Sequence, residues 1–436
     1  MMPKVTSWGR VVVADQLVHE PAFADEVPRL LKENGPSIAY GLGRSYGDIC
    51  LNDGGSLIRM HRLDRILNAD WERGIIRAEA GLSLDNLLRV AVPKGWFLPV
   101  TPGTKFVTLG GAVANDVHGK NHESAGTFGC HVRALGLLRS TGEVTEVGPD
   151  RDPDMFAATV GGLGLTGLLL WVELELAPIR SARFDTETSR MRNLDDFFDQ
   201  AGRSKDWPYT AAWVDCLARG ASLGRGLFTR GRHAEEGGLS VHRERSLARV
   251  PADAPAMLLS STSVGAFNRV YAGRPGVEGA RNVHYDPFLY PLDAIQDWNR
   301  LYGRPGLFQH QSVVPLKSAR QALQRLLELT SEHRQASFLM VLKLFGDRPS
   351  SGLMSFPMPG ATFALDLPNR GPTTLDLLAR MAEVVMKAGG RLYPAKDATM
   401  SGEVFRAGFP RWRELEVRRD PALMSDFWRR VTREAA

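Results

Sequence analysis

The segment Leu98–Cys130, LPVTPGTKFVTLGGAVANDVHGKNHESAGTFGC, decides the reading of this chain. It holds Gly103, Gly110, Gly111, Gly119, Gly126 and Gly129, with Thr, Ser and Asn between them. Glycine admits positive φ and lets another group approach the main chain closely. Val100, Phe106, Val107, Leu109, Val113 and Val117 are interleaved as apolar anchors. The run therefore predicts an ordered loop packed against something flat or anionic. A tight turn accounts for any one of these glycines. It does not account for the whole run, because His118, Lys120, Asn121 and His122 sit inside it.

Two other glycine clusters flank this segment: GLGRSYGD at 41–48 and GGLGLTG at 161–167. Neither is a Rossmann fingerprint. In the first, Gly47 falls one place late and the following ICLNDGGSLIRM is not helical. In the second, Gly162, Gly164 and Gly167 have the GxGxxG spacing, but the apolar run Leu168–Leu176 reads as a strand. A strand leaves no helix N-terminus for a pyrophosphate. A flavin nucleotide also carries a pyrophosphate, which loop backbone N–H groups can bind without that turn. Clamping by the loops 41–48 and 101–119, supported by the turn at 161–167, fits such a ligand better than three unrelated turns do.

Around these loops the chain of 436 residues, 43% hydrophobic and 24% charged, has enough apolar content for two or three packed domains. A formal charge of +5 suits an anionic ligand or a membrane surface and is too weak to argue for nucleic acid. Three cysteines and ten histidines show neither a disulfide framework nor metal-ligand spacing, so no metal site is expected. The N-terminus lacks a signal-peptide core and no apolar run is long enough to span a bilayer, which predicts a cytoplasmic protein. Strands are expected at 10–14, 37–41, 56–60, 73–79 and 168–176, and helices at 28–34, 154–160 and behind Ser83 as N-cap. From about 180 the pattern shifts to paired strands at 209–220 and 222–231. Three more follow in FQHQSVVP, SFLMVLKLFGD and ATFALDLP, with helices at 317–334 and 373–388. The polar stretch 231–256 reads as a mobile loop.

Taken together, GLGRSYGD, VTPGTKFVTLGGAVANDVHGKNHESAGTFG, GGLGLTG, SLGRG, FQHQSVVP, FLMVLKLFG and RLYPAKD resemble the vanillyl-alcohol-oxidase superfamily of FAD flavoenzymes over residues 40–400. The HGKNH and RLYPAKD segments are the most specific of these. The resemblance implies an α+β protein with a PCMH-type FAD-binding domain at 1–178, completed by 391–436, and a substrate domain with an antiparallel sheet at 179–390. It implies FAD contacts at Gly41, Gly43, Arg44, Ser45, Tyr46 and Gly47, then at Gly103, Thr108, Gly110, Gly111, Asn115, His118, Gly167 and Tyr393. Many superfamily members carry at position 44 a histidine bonded covalently to the flavin. Arg44 cannot make that bond, so non-covalent FAD is expected. The implied reaction is oxidation of the 2-hydroxyl of a polyprenylphosphoryl ribose, with a separate NADH-dependent ketoreductase as partner and docking at the inner-membrane surface. A soluble sugar-alcohol or aldonolactone oxidase is the alternative.

Oxidising a secondary alcohol needs a base for the hydroxyl proton and a flavin to take the hydride. By resemblance Lys396 stands beside both; from residues alone, an exposed lysine paired with Asp397 is the simpler reading. His118 is the alternative base, in a loop that should pass along the flavin, next to Lys120. Lys343 has apolar neighbours on both sides in LMVLKLF, where an unpaired lysine is rare, so it becomes a substrate contact. Gln309 and Gln311 share one strand face, with His310 on the other, and are placed to bond sugar hydroxyls. The same pattern suits two polar residues on a half-buried sheet. Some relatives carry cysteine and asparagine where this chain has Ala364 and Thr362, which puts the detailed pocket in question. Tyr290 is offset from a family tyrosine and is given no role.

Overall fold

The computed structural model describes residues 2–243 and 248–433, without the side chains of 256 and 257. Its N-terminal part is built on two small sheets. Leu17–His19, Ser56–Arg59 and Ser37–Tyr40 form a parallel sheet with Ser56–Arg59 in the middle. Val144–Val147, Val132–Leu138, Leu168–Glu175, Ile75–Glu79 and Ile66–Asp70 form an antiparallel one in that order. The helix Leu84–Ala91 packs Leu84, Leu87 and Leu88 into this core, and its Ser83 cap accepts a hydrogen bond from the Asn86 N–H.

The eight-stranded antiparallel sheet beyond supplies one wall of the site. Its order is Gly279–His284, Arg183–Met191, Gly226–His233, Tyr209–Val214, Met340–Phe345, Gly360–Pro368, Leu307–Val314 and Arg391–Leu392. Helices Leu316–Glu332 and Pro372–Lys387 bury leucine-rich faces against one side of it. Three short helices, Gly402–Gly408, Trp412–Arg418 and Asp426–Thr432, then return the chain to the N-terminal part. There the Arg430 guanidinium donates to both Asp48 oxygens at 2.8 and 3.0 Å, and Leu423 bridges Ser37.

Several expectations change. The strand at 10–14 is displaced: Lys4–Thr6 pairs with Val13–Asp15 instead. Arg10 stands at φ 61° in the connecting turn, and Val13 remains 53% exposed. A consecutive valine run was no guide to the pairing register. The glycine segment contains two short helices, Leu109–Ala114 and His122–Ala125. Thr108 caps the first by accepting from the Gly111 N–H, and Leu109, Ala112 and Val113 turn inward. The stretch read as a mobile loop is anchored where it is described. The strand Gly226–His233 runs into it, His242 is buried between Asp85 and Tyr285, and Ala248–Arg249 pairs with Ile295–Gln296. Residues 244–247 of that expectation lie outside the described residues.

Candidate active site

A cavity of about 630 Å³ lies between the glycine loops and the large sheet. Its walls include Gly41, Gly43, Arg44, Ser45 and Tyr46 from the first loop, and Gly103, Thr108, Gly110, Gly111, Asn115, His118 and Lys120 from the second. Gly167 adds the third turn, Gln309, Gln311 and Lys343 the sheet, and Tyr393 and Lys396 the C-terminal segment. Of the residues given a cofactor, substrate or catalytic role from the sequence, Gly47 alone is absent from this wall. A Cβ there would stand 1.7 Å from the Asp397 carbonyl oxygen, so Gly47 is a packing position that lets the 393–397 segment close down.

Close backbone approach explains how the loops meet. Gly41 faces the Thr108 hydroxyl, where a Cβ would come within 2.5 Å, and this contact fastens the first loop to the second. Gly43, at φ 63°, folds over the Tyr40 hydroxyl. Other glycines face open space: a Cβ on Gly103 would meet nothing within 4 Å, and one on Gly111 only the Thr108 hydroxyl. The Arg44 guanidinium lies 4.1 Å over the Trp8 ring, and its buried Nε has no hydrogen-bond partner. Asn115 Oδ1 and His118 Nδ1 are likewise buried and unpartnered. Buried polar atoms are normally satisfied. A cavity with glycine floors, orphaned polar atoms and an unpaired guanidinium fits a bound dinucleotide such as FAD.

The other end of the cavity concentrates charge. Burial drives the Lys343 ammonium down to about 8 and Lys120 to about 7, each assisted by repulsion from another lysine. Lys120 Nζ donates to the carbonyls of Phe288 and Leu289, which ties the cavity floor to the segment 285–298. Lys396 Nζ sits 4.3 Å over the Tyr46 ring. It does not pair with Asp397, whose carboxylate is held by Arg430 and the backbone N–H groups of Thr399 and Met400. Its electrostatic partner is Asp366: burial lowers the lysine and raises the aspartate, while each charge favours the other. Asp366 is 0% exposed, accepts from Gln309 Nε2 and keeps Oδ2 unpartnered.

Gln311 Nε2 donates to His118 Nε2 at 2.9 Å and reaches Thr362 Oγ1 at 3.5 Å. Burial, then the positive charge of Lys343, holds His118 well below the usual imidazole range, so it is neutral. Phe345, Phe356 and Tyr393 surround its ring at 4.8, 5.5 and 5.3 Å. The Tyr393 hydroxyl donates to the Asn115 carbonyl at 3.0 Å. His310, on the opposite strand face, donates to or accepts from Ser312 and does not line the cavity. Ala364 lines it directly across from Gln311. Tyr290 is buried and shares a 2.7 Å hydrogen bond with Thr101.

Sequence reasoning missed Asp366 and the segment 289–298, which contributes Leu289, Asp293, Gln296 and Trp298 to the wall. An aspartate in the otherwise apolar ATFALDLP was the available signal for the first. The second shows no local pattern.

Comparison with known proteins agrees with this geometry. Residues 16–148 match the FAD binding domain family. Over 98% of its length the chain is 36% identical to decaprenylphosphoryl-β-D-ribose oxidase of Mycolicibacterium smegmatis, of which it covers 97%. It is 23% identical to L-gulono-1,4-lactone dehydrogenase of Mycobacterium tuberculosis over 99% of both chains. It is 29% identical to mouse L-gulonolactone oxidase over 37% of this chain and 38% of that one. FAD is the cofactor of this fold, and the chain is an FAD-dependent oxidoreductase. With glycine loops, orphaned polar atoms and a lysine-rich end in one cavity, and with this similarity running through the whole sequence, the chain belongs to the decaprenylphosphoryl-β-D-ribose oxidase family of FAD-binding proteins.

Proposed function

We propose that this protein oxidises the 2-hydroxyl of a polyprenylphosphoryl-β-D-ribose to the 2-keto sugar, the first half of an epimerisation to the arabinose donor. The observation that carries the reading is the meeting of Lys343, Lys396, Gln309 and Gln311 in one cavity with the FAD loops, in a chain similar throughout to an oxidase of that substrate. FAD held by these loops would supply the acceptor for the hydride released from the sugar carbon. Lys396, brought toward neutrality by burial, takes the hydroxyl proton at Nζ, and Asp366 steadies the ammonium that results. Gln309 and Gln311 hold sugar oxygens, and Lys343 faces the phosphodiester. His118 is neutral and carries the Gln311 amide, so it positions that glutamine. Ala211, Leu339 and Val341 give the sheet side of the cavity an apolar surface for the first isoprene units.

Arg44 supplies no nucleophile for the flavin, so FAD is held without a covalent bond there. We read 1–178 with 391–436 as the FAD-binding unit and 179–390 as the substrate-binding unit. Among the described residues no helix is long and apolar enough to cross a membrane. A lipid-linked sugar would therefore be met at the bilayer surface, with an NADH-dependent ketoreductase as the partner that finishes the epimerisation. The test is anaerobic mixing of the FAD-loaded protein with polyprenylphosphoryl ribose, which should bleach the absorbance of the oxidised flavin. The full-length likeness to L-gulono-1,4-lactone dehydrogenase favours a second reading, oxidation of a soluble aldonolactone. Bleaching by gulonolactone and not by the lipid-linked sugar would establish that one.

A further inference from the structure

A second depression, of about 350 Å³, is bounded by residues 347–359, Arg391 and the turn 408–411. His122 forms part of its wall and is 1% exposed, with neither ring nitrogen engaged in a hydrogen bond. Burial, then the charge of Lys343, drives this imidazole down to about 4, so at neutral pH it offers one N–H donor and one acceptor nitrogen. Phe345 packs on the His122 ring at 4.4 Å and on the His118 ring at 4.8 Å, and so separates this depression from the flavin cavity.

Three arginines, Arg348, Arg391 and Arg411, stand in the rest of the wall. Arg391 is half-buried; its Nη1 donates to the Ser355 carbonyl at 3.2 Å and its Nε meets Met358 Sδ at 3.4 Å. Among the described residues neither Arg391 nor Arg348 has a carboxylate partner, whereas Arg411 is held bidentately by Glu414. Asp347 is the carboxylate in the wall, and it has no ion pair among the described residues. A guanidinium taken partly out of water without a counter-charge is costly unless an anion completes it. Arginine forks match the oxygens of phosphate and carboxylate. A hydrogen phosphate also carries a P–OH, which meets the acceptor nitrogen of a neutral imidazole.

We propose that this depression binds a phosphate-type oxyanion, with Arg391 and Arg348 on its oxygens and His122 closing the inner side. The site takes no part in the reading of the flavin cavity. The experiment titrates the FAD-loaded full chain with inorganic phosphate and, separately, with glycerol 3-phosphate, at constant ionic strength, by calorimetry. It is repeated with Lys343→Met, which removes a flavin-cavity lysine, and with Arg348→Ala and Arg391→Met. Saturable binding that survives Lys343→Met and weakens tenfold or more in both arginine variants supports the site. Tighter phosphate identifies a free ion; tighter glycerol 3-phosphate identifies a phosphomonoester. Arg348 is exposed, so Arg348→Ala reports even if Arg391→Met does not fold. Absence of saturable binding by either probe overturns the proposal. So does binding lost in Lys343→Met and unchanged in Arg348→Ala, which would assign the anion to the flavin cavity.

Discussion

Replacing Asp366 with asparagine should move the pH at which the enzyme becomes competent to oxidise its substrate. The amide keeps the side chain's shape, and its oxygen can still accept from Gln309 Nε2. What disappears is the negative charge that opposes the desolvation of Lys396. Two such groups titrate as a unit, and the base-competent form is the one that has released the proton from the lysine. An opposite charge in close range shifts a neighbour by about 1–3 pH units. The low end is appropriate here, because among the described residues Asp366 accepts from Gln309, Lys396 lies over the Tyr46 ring, and the two share no direct hydrogen bond. The substitution should therefore lower the acid limb of the flavin-reduction rate by about one pH unit, equivalent to about 1.4 kcal/mol. The plateau rate should also fall, since a less basic amine is a weaker proton acceptor. The assay is single-turnover anaerobic reduction, followed by flavin absorbance, across the pH range for wild type and Asp366→Asn. A limb that stays in place, or moves to higher pH, refutes the assignment of Lys396 as the base restrained by Asp366.

Lys343→Met should raise the KM for the lipid-linked sugar at least tenfold while leaving single-turnover chemistry at saturation within a few-fold, because on the proposed reading it removes the charge that would face the phosphodiester. Steady-state kinetics separate the two parameters. Acid precipitation should leave the yellow colour in the supernatant; a yellow pellet would show a covalent flavin. Gly47→Ala would drive a methyl group into the Asp397 carbonyl and should destabilise the fold by about 2 kcal/mol or more. FAD retention and the denaturation midpoint should fall together. His310 is held at about 3 by burial, whereas an unfolded histidine titrates near 6.5. Below that value the unfolded chain binds a proton that the folded one does not, so this group costs stability as pH falls. Between pH 7 and pH 5 the loss should be about 2 kcal/mol greater for wild type than for His310→Gln, as read by chemical denaturation.

How far the sequence goes depends on the range of each interaction. Strand alternation alone put Gln309 and Gln311 on one face and His310 on the other, and Ser83 announced its helix. The glycine-rich segment was legible as a ligand loop because so many residues without side chains cannot all be structural turns. Its two short helices were not legible, since six residues capped by Thr108 leave too brief a period to read. Gly47 looked like its neighbours in GLGRSYGD, yet its reason for being glycine lies 350 residues away at Asp397. Asp366 was visible as an aspartate in an apolar strand, but its electrostatic pairing with Lys396 was not. No local rule predicts that segment 289–298 reaches the cavity, because Lys120 and the 288–289 carbonyls meet only in the folded chain.

The way the C-terminal segment joins the sheet has one more consequence. Arg391–Leu392 adds to the edge of Leu307–Val314, and the Tyr393 N–H donates to the Gln311 carbonyl at 2.9 Å, three residues before Lys396. The amine and the two glutamines are thus bolted to one frame, their spacing fixed by main-chain ladders and insensitive to side-chain identity elsewhere. A lineage built on this plan can remodel its entrance for a longer, shorter or altogether different alcohol without re-aiming the Lys396 amine.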